Sequence, residues 1–162
     1  MPPLTALLHT NNDVLRLGRC LETLYPCDHI LVIDHGSKDD TVGIARQHGA
    51  RVITAAPSTS PDHYAQSAGP GWILALDPRE SLTEGLAATL FDLREQWKVA
   101  GNITALAYSM FVREETPDGW IDIPAAETRL VPHTWNRWNG NLPVREPSAH
   151  ALKGELLRFT FP

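Results

Sequence analysis

Several absences narrow the field before any motif is read. No apolar stretch of this 162-residue chain approaches the roughly 18–20 residues that a bilayer-crossing helix needs, so no transmembrane segment is expected. There is no surplus of positive charge. Fourteen Lys and Arg against nineteen Asp and Glu give a formal charge of −5, which removes the electrostatic case for nucleic-acid binding. Only two cysteines occur, Cys20 and Cys27, too few for a disulfide framework, so both are expected as free thiols. The seven histidines have no zinc-ligand spacing with them. A glycine-rich phosphate loop of the Walker or dinucleotide type is missing, as is an internal repeat. Met1-Pro2-Pro3 leads straight into a strand-like run with no basic region before an apolar one, so no secretory signal is expected. What remains is an ordinary globular composition, 43% hydrophobic and 20% charged, of a length suited to one domain over residues 1–162.

The order of apolar runs is informative. Leu4–His9 reads as a buried strand, Ile30–Ile33 is a continuous apolar run as expected of a strand covered on both faces, and Arg51–Thr54 and Trp72–Leu76 read as a third and a fourth strand. Between the first two, Val14, Leu17, Leu21 and Leu24 recur at helical spacing, with Asn12 or Asp13 as the expected cap and Pro26 as the stop. A short helix carrying Val42, Ala45 and His48 is expected after a cap at Asp39 or Asp40, ending at Gly49. Ala56–Gly71 reads as a loop in which Ser60-Pro61-Asp62 starts one helical turn through Ala65. A helix is expected from about Thr83 to Trp97, with Leu82, Leu86, Leu90, Leu93 and Trp97 on one face, and Gly101 stops it. Strands alternating with helices imply parallel pairing with right-handed crossovers. Beyond Ile103 the pattern turns strand-rich: Thr104–Val112, a turn at Pro117-Asp118-Gly119, Thr128–Val131, a tight turn at Asn139-Gly140, and Leu156–Phe161. Residues 1–100 and 101–162 are thus expected as two parts of one α/β domain.

In an open parallel sheet, ligands sit beyond the carboxyl ends of the strands. Three expected strands deliver polar groups there: Thr10-Asn11-Asn12, Asp34-His35-Gly36-Ser37 and Asp77-Pro78-Arg79-Glu80. A carboxylate at Asp34 can accept from a nucleobase imide or a ribose hydroxyl, and Gly36 lets backbone approach a ligand closely. The plainer role for Asp34, Ser37 and Asp40 is to form the turn and cap the next helix.

These residues also carry a resemblance. Arg19-Cys20-Leu21-Glu22-Thr23-Leu24, Asp34-His35-Gly36-Ser37-Lys38-Asp39-Asp40-Thr41, the following Val42–Val52, and Gly71-Trp72-Ile73-Leu74-Ala75-Leu76-Asp77 stand in the order and spacing of the opening of family 2 glycosyltransferases. The likeness covers about the first hundred residues and is nearest the small bacterial transferases of lipopolysaccharide core biosynthesis. A weaker match at Glu127-Thr128-Arg129-Leu130 is similar to that branch's acceptor-side segment. The resemblance implies a GT-A fold with helices on both faces of a mostly parallel central sheet. It implies a nucleotide-diphospho-sugar donor and inverting transfer of the sugar to a bacterial glycan or lipid-linked acceptor. It implies a cytoplasmic protein, placed at the inner membrane face where the acceptor is lipid-linked. The donor would lie over Thr10, Asn11, Asn12, Asp34, Gly36 and Ser37. The acidic motif would hold magnesium or manganese on the diphosphate through Asp77 and Glu80. Glu127 or Glu146 would deprotonate the acceptor hydroxyl.

The chain departs from that pattern in two places. Where the family's acidic motif has its second aspartate, this chain has Arg79, a cation where a metal ligand is wanted. Either Glu80 completes the metal site with Asp77, or Arg79 takes the diphosphate itself, or Arg79 makes a surface salt bridge with Glu80 or Glu84. The segment before Gly71 is short and contains no arginine, so a wall of the donor pocket is expected to be missing. Trp120, Trp135 and Trp138 are available to stack on a sugar or to fill core. A second copy of the chain would complete the acceptor side. The alternative to an enzyme is a non-catalytic GT-A-like binding or scaffolding protein.

Overall fold

A computed structural model describes residues 2–162. Its centre is a nine-stranded sheet. The four strands β1 (Leu4–Thr10), β2 (His29–Asp34), β3 (Arg51–Thr54) and β4 (Trp72–Leu76) lie side by side in the order β3-β2-β1-β4, all parallel. Beyond β4 the sheet changes character. β8 (Glu127–Pro132) pairs antiparallel with β4 and with β6 (Tyr108–Thr116). β11 (His150–Arg158) runs parallel to β6, and the three-residue β5 (Glu80–Leu82) closes that edge antiparallel to β11. β7 (Gly119–Asp122) folds back on β6 through the expected turn at Pro117-Asp118-Gly119. A separate hairpin joins β9 (Trp138–Asn139) and β10 (Leu142–Pro143) around Gly140 and Asn141.

Side chains alternate across a strand, so β1 feeds two cores. Leu4, Ala6 and Leu8 point to one face, where they meet Val32, Leu74, Leu76 and the apolar sides of α1 (Leu17–Glu22), α2 (Thr41–Gln47) and α4 (Glu84–Ala100). Leu7 points to the other, with Leu31, Ile33, Ile73, Val131 and Trp135, and is covered there by Tyr64 and Ala65 of α3 (Pro61–Ser67). Helices therefore cover both faces, as the strand-helix alternation requires. No helix among the described residues is long and apolar enough to cross a membrane.

The long helix α4 forms as its periodicity dictates. Leu86, Ala87, Leu90, Leu93 and Trp97 are buried on one face, each large side chain contributing about 1.5–3 kcal/mol on burial. Thr83 caps it by accepting from Leu86 N–H at 3.2 Å, and Gly101 ends it. Its first turn packs so closely on β11 that a Cβ on Gly154 would stand 2.5 Å from the Leu86 nitrogen.

Several local expectations are corrected. Neither Asn12 nor Asp13 caps α1, which starts late, at Leu17: the Asn12 side chain accepts from Lys38 N–H of the loop after β2, and the Asp13 side chain turns back to Asn11 N–H of its own loop. The segment before β4 is not a bare loop with one turn. It holds all of α3, whose Tyr64 is buried and accepts from Ala56 N–H at 2.9 Å. β6 starts at Tyr108 rather than Thr104. β11 starts at His150 rather than Leu156, its register broken between Ala151 and Glu155 by a bulge that holds Gly154.

Candidate functional site

Because β1 and β2 pair with Thr10 opposite Asp34, and β4 ends at Leu76 beside Leu8, the three polar strand ends emerge at one edge of the sheet. They surround a cleft of about 490 Å³. β1 and the loop after it supply His9, Thr10, Asn11, Asp13 and Arg16. β2 supplies His35. The turn after β4 supplies Asp77, Pro78 and Arg79, and the β9–β10 hairpin tip supplies Asn141.

The first two loops are bonded to each other before any ligand arrives. Asp34 accepts from Thr10 Oγ1 at 2.8 Å, from Ser37 N–H at 2.9 Å and from Ser37 Oγ at 2.5 Å. Burial would push its carboxyl up, but the bonds from Ser37 and Thr10 outweigh it and hold Asp34 below the usual carboxylate range. Ser37 Oγ accepts in turn from Asn12 N–H at 2.9 Å, and Asn12 Oδ1 accepts from Lys38 N–H at 2.7 Å. Gly36, at φ 82°, makes the turn that lets Ser37 reach back. Asn12, Asp34, Gly36 and Ser37, expected under the donor, thus tie the two loops together without lining the cleft, whereas Thr10 and Asn11 line it.

Two histidines were missed as a pair. His9 Nδ1 and His35 Nε2 are 2.8 Å apart. His9 is 8% exposed, its ring meets Tyr64 edge-on, and its Nε2 has no hydrogen-bond partner among the described residues. Burial, with the neighbouring His35, lowers its pKa to about 4, so His9 is neutral. The pairing was implicit in the strand register, which sets His35 one residue beyond the Thr10–Asp34 pair. Arg16 and Asn141 left no such signal. Asp13, expected as a helix cap, instead lines the cleft and accepts from Asn11 N–H at 2.8 Å. Its pKa is raised, chiefly by burial, which the Asn11 bond opposes and the charge of Asp77 reinforces.

The acidic motif comes apart. Asp77 accepts from Arg79 three times, from its backbone N–H at 2.9 Å, from Nε at 3.0 Å and from Nη2 at 3.4 Å. Burial acts to raise the Asp77 carboxyl, but Arg79 more than offsets it and Asp77 titrates below its ordinary value. Glu80, expected beside Asp77 at a metal, faces elsewhere. The turn at Pro78-Arg79 feeds β5, and pairing with β11 turns Glu80 into the interior, where it is 0% exposed. There Arg129 grips both its oxygens, at 2.6 and 2.7 Å, and Arg158 adds bonds at 3.0 and 3.1 Å. The expected Arg79 partners were Glu80 or Glu84; the observed partner is Asp77.

A divalent cation of the magnesium or manganese kind needs several oxygen ligands converging on one point. Here Asp77 is taken up by its own neighbour, and Glu80 is closed inside an arginine cluster. No group of three or more His, Cys, Asp and Glu side chains among the described residues is arranged to hold an ion. The residues present do not fit the metal.

The two candidate bases are both distant from this turn in sequence and differ in state. Glu127 belongs to the buried ion cluster, 2.9 Å from Arg129 Nη2 and 3.1 Å from Arg158 Nη2. Burial would raise its carboxyl, yet the charges of Arg129 and Arg158 hold it low. Glu146 follows the β9–β10 hairpin. It accepts from Ser148 Oγ at 3.1 Å and stands 3.6 Å from Arg137, a looser hold. None of the three tryptophans lines the cleft. Trp135 is core and carries the Arg137 guanidinium on its ring, Trp138 donates to the Trp135 carbonyl at 2.9 Å, and Trp120 packs edge-on against Phe159.

No family model matches the chain. Over 90 residues it is 33% identical to an uncharacterized glycosyltransferase of Rickettsia felis, a match covering 53% of this chain and 32% of that protein. The chain thus spans about a third of the length of this curated relative. Among solved structures, S. aureus TarS superimposes with a TM-score of 0.57 at 13% identity, over 82% of this chain and 29% of that one. TarS 1-349 in complex with UDP gives 0.53 at 13% identity, over 76% of this chain and 38% of that one. At such identities the likeness concerns the fold alone, and the fold is the GT-A fold.

Proposed function

We propose that this chain is a glycosyltransferase that binds a nucleotide-diphospho-sugar in the cleft at the carboxyl ends of β1, β2 and β4. The observation that carries the reading is the convergence of three polar strand ends on one cleft, at the sheet edge where open α/β sheets take ligands. The sequence match to a glycosyltransferase and the fold likeness to a protein in complex with UDP support it. In this reading the nucleoside lies over Thr10, Asn11 and His35, on a floor held by Asp34, Gly36 and Ser37. The diphosphate lies toward Arg79.

Transfer is read as inverting. The acceptor oxygen bonds to the anomeric carbon as the bond from that carbon to the diphosphate breaks, and a carboxylate takes the acceptor's proton. Of the two expected bases, Glu146 fits better. Glu127 is neutralised by two arginines and held low, which makes it a weak proton acceptor. Glu146 lies just past the hairpin whose tip residue, Asn141, lines the cleft. The acceptor class is a bacterial glycan or lipid-linked glycan of the lipopolysaccharide-core kind, met at the cytoplasmic membrane face. A second copy of the chain completes the acceptor side.

The test is protein-observed NMR with UDP, GDP, CDP and ADP. One of them is expected to shift the amides of Asn11, His35 and Gly36 while leaving β6 and β7 unmoved. No response to any of the four at millimolar concentration would sink the enzyme reading and leave a non-catalytic GT-A-like protein.

A further inference from the structure

We infer that the cleft takes the donor's diphosphate without a divalent cation, using the guanidinium groups of Arg79 and Arg16 in its place. The inference rests on the nucleotide-sugar reading above and specifies how that site handles charge.

Two carboxylates that would hold a cation are each committed. Asp77 presents both oxygens to Arg79, and the bonds come from the same turn, so a cation reaching Asp77 would meet a positive charge two residues away. Glu80 cannot turn outward without stripping Arg129 and Arg158 of their main partner inside the sheet. The remaining carboxylate of the cleft, Asp13, has one oxygen on Asn11 N–H.

The cations are less committed. Arg79 uses Nε and Nη2 on Asp77, and its Nη1 donates to no described residue. The Asp77 contact fixes the plane of the guanidinium at the cleft wall, since a fork held on one edge has its other N–H groups aimed away from that edge. Arg16 also lines the cleft, where its charge acts on Asp13, yet its side chain makes no hydrogen bond or salt bridge to a described residue. Both are permanently charged and carry several donors. Guanidinium–phosphate bonds are charge-assisted and commonly bidentate, which suits a diphosphate with several anionic oxygens. Metal-ion catalysis relies on a cation to stabilise the leaving diphosphate; two arginines placed on it supply the same sign of charge from fixed positions. Asp77 then serves as a positioning residue that aims Arg79 rather than as a ligand.

The experiment is calorimetric titration of the chain with UDP, GDP, CDP and ADP, and with the parent nucleosides, in EDTA and again in manganese. With the responding nucleotide, the affinity in EDTA is expected to lie within about twofold of that in manganese. The diphosphate is expected to bind at least tenfold more tightly than its nucleoside. Arg79→Gln and Arg16→Gln should each abolish most of that diphosphate advantage in EDTA, leave nucleoside binding in place, and not be rescued by manganese. Nucleoside binding retained by the variants also reports that they are folded. Binding of the diphosphate only in manganese would overturn the inference and leave the donor-site reading standing. A diphosphate advantage unchanged in both variants would overturn it as well. If no nucleotide binds in either buffer, the donor-site reading falls and takes this inference with it.

Discussion

Removing the Arg129 guanidinium tests the buried charge cluster that directs Glu80 away from the cleft. Arg129 is 1% exposed and Glu80 0%, and the pair is bidentate at 2.6 and 2.7 Å. Replacing Arg129 by methionine fills similar volume but leaves Glu80 with one cation, Arg158 at 3.0 Å, besides the Asp77 N–H. It also frees the Ala75 carbonyl, which accepts from Arg129 Nη1 at 3.2 Å. Breaking a buried pair by removing one partner costs about 3–5 kcal/mol. Because Arg158 remains, the lower end applies, about 3 kcal/mol. For a chain of this size that is a fall in Tm of about 6–12 °C. Glu80→Met combined with Arg129→Met removes both charges and is expected to regain most of the loss, less about 1 kcal/mol for the Asp77 N–H that Glu80 Oε1 now satisfies at 2.8 Å. Urea unfolding followed by circular dichroism reads all three proteins. A single variant within about 1 kcal/mol of the parent, or a double variant no better than the single, would refute the reasoning.

His9 should make stability depend on pH. Its folded pKa of about 4 lies below the ordinary 6.5, so between these values the unfolded chain takes up a proton that the folded chain refuses. Stability is therefore unaffected above pH 6.5 and falls as pH drops toward 4, by about 3 kcal/mol in total. His9→Phe is expected to flatten the urea midpoint over that window, and equal slopes in the two proteins would count against it. Gly154→Ala forces a Cβ against the Leu86 backbone at φ 97°, and overpacking plus the left-handed conformation should cost about 2–5 kcal/mol by thermal unfolding. Thr83→Ala removes the cap on α4 and the bond from Thr83 Oγ1 to the Glu155 carbonyl at 2.8 Å; a loss of roughly 1–2 kcal/mol is expected, and no loss would show that the cap is idle.

The parallel half was legible in the sequence because its signals are local. β4 falls where its apolar run falls, and the face of α4 is written in the spacing of Leu86, Leu90, Leu93 and Trp97. A buried strand must be apolar on both faces and a covered helix on one, so the pattern along the chain carries the element. The strand-rich half was less so. β5 has three residues, one of them charged, and exists because β11 offers it a partner; nothing within Glu80-Ser81-Leu82 announces a strand. Periodicity could not show the break at Gly154 either, since a bulge shifts register without changing composition.

The candidate site divides the same way. That Thr10, Asp34 and Asp77 share one edge followed from each standing at the end of an apolar run, since parallel strands all finish on the same side. Which way their side chains face was decided by contacts between loops far apart in sequence. Ser37 and Thr10 claim Asp34, Arg79 claims Asp77, and Arg129 and Arg158 draw Glu80 inside. The sequence by itself placed a cation within an acidic motif. Only the tertiary structure decided where each charge of that motif points, because Arg129 and Arg158 come from strands that meet Glu80 only when the sheet is assembled.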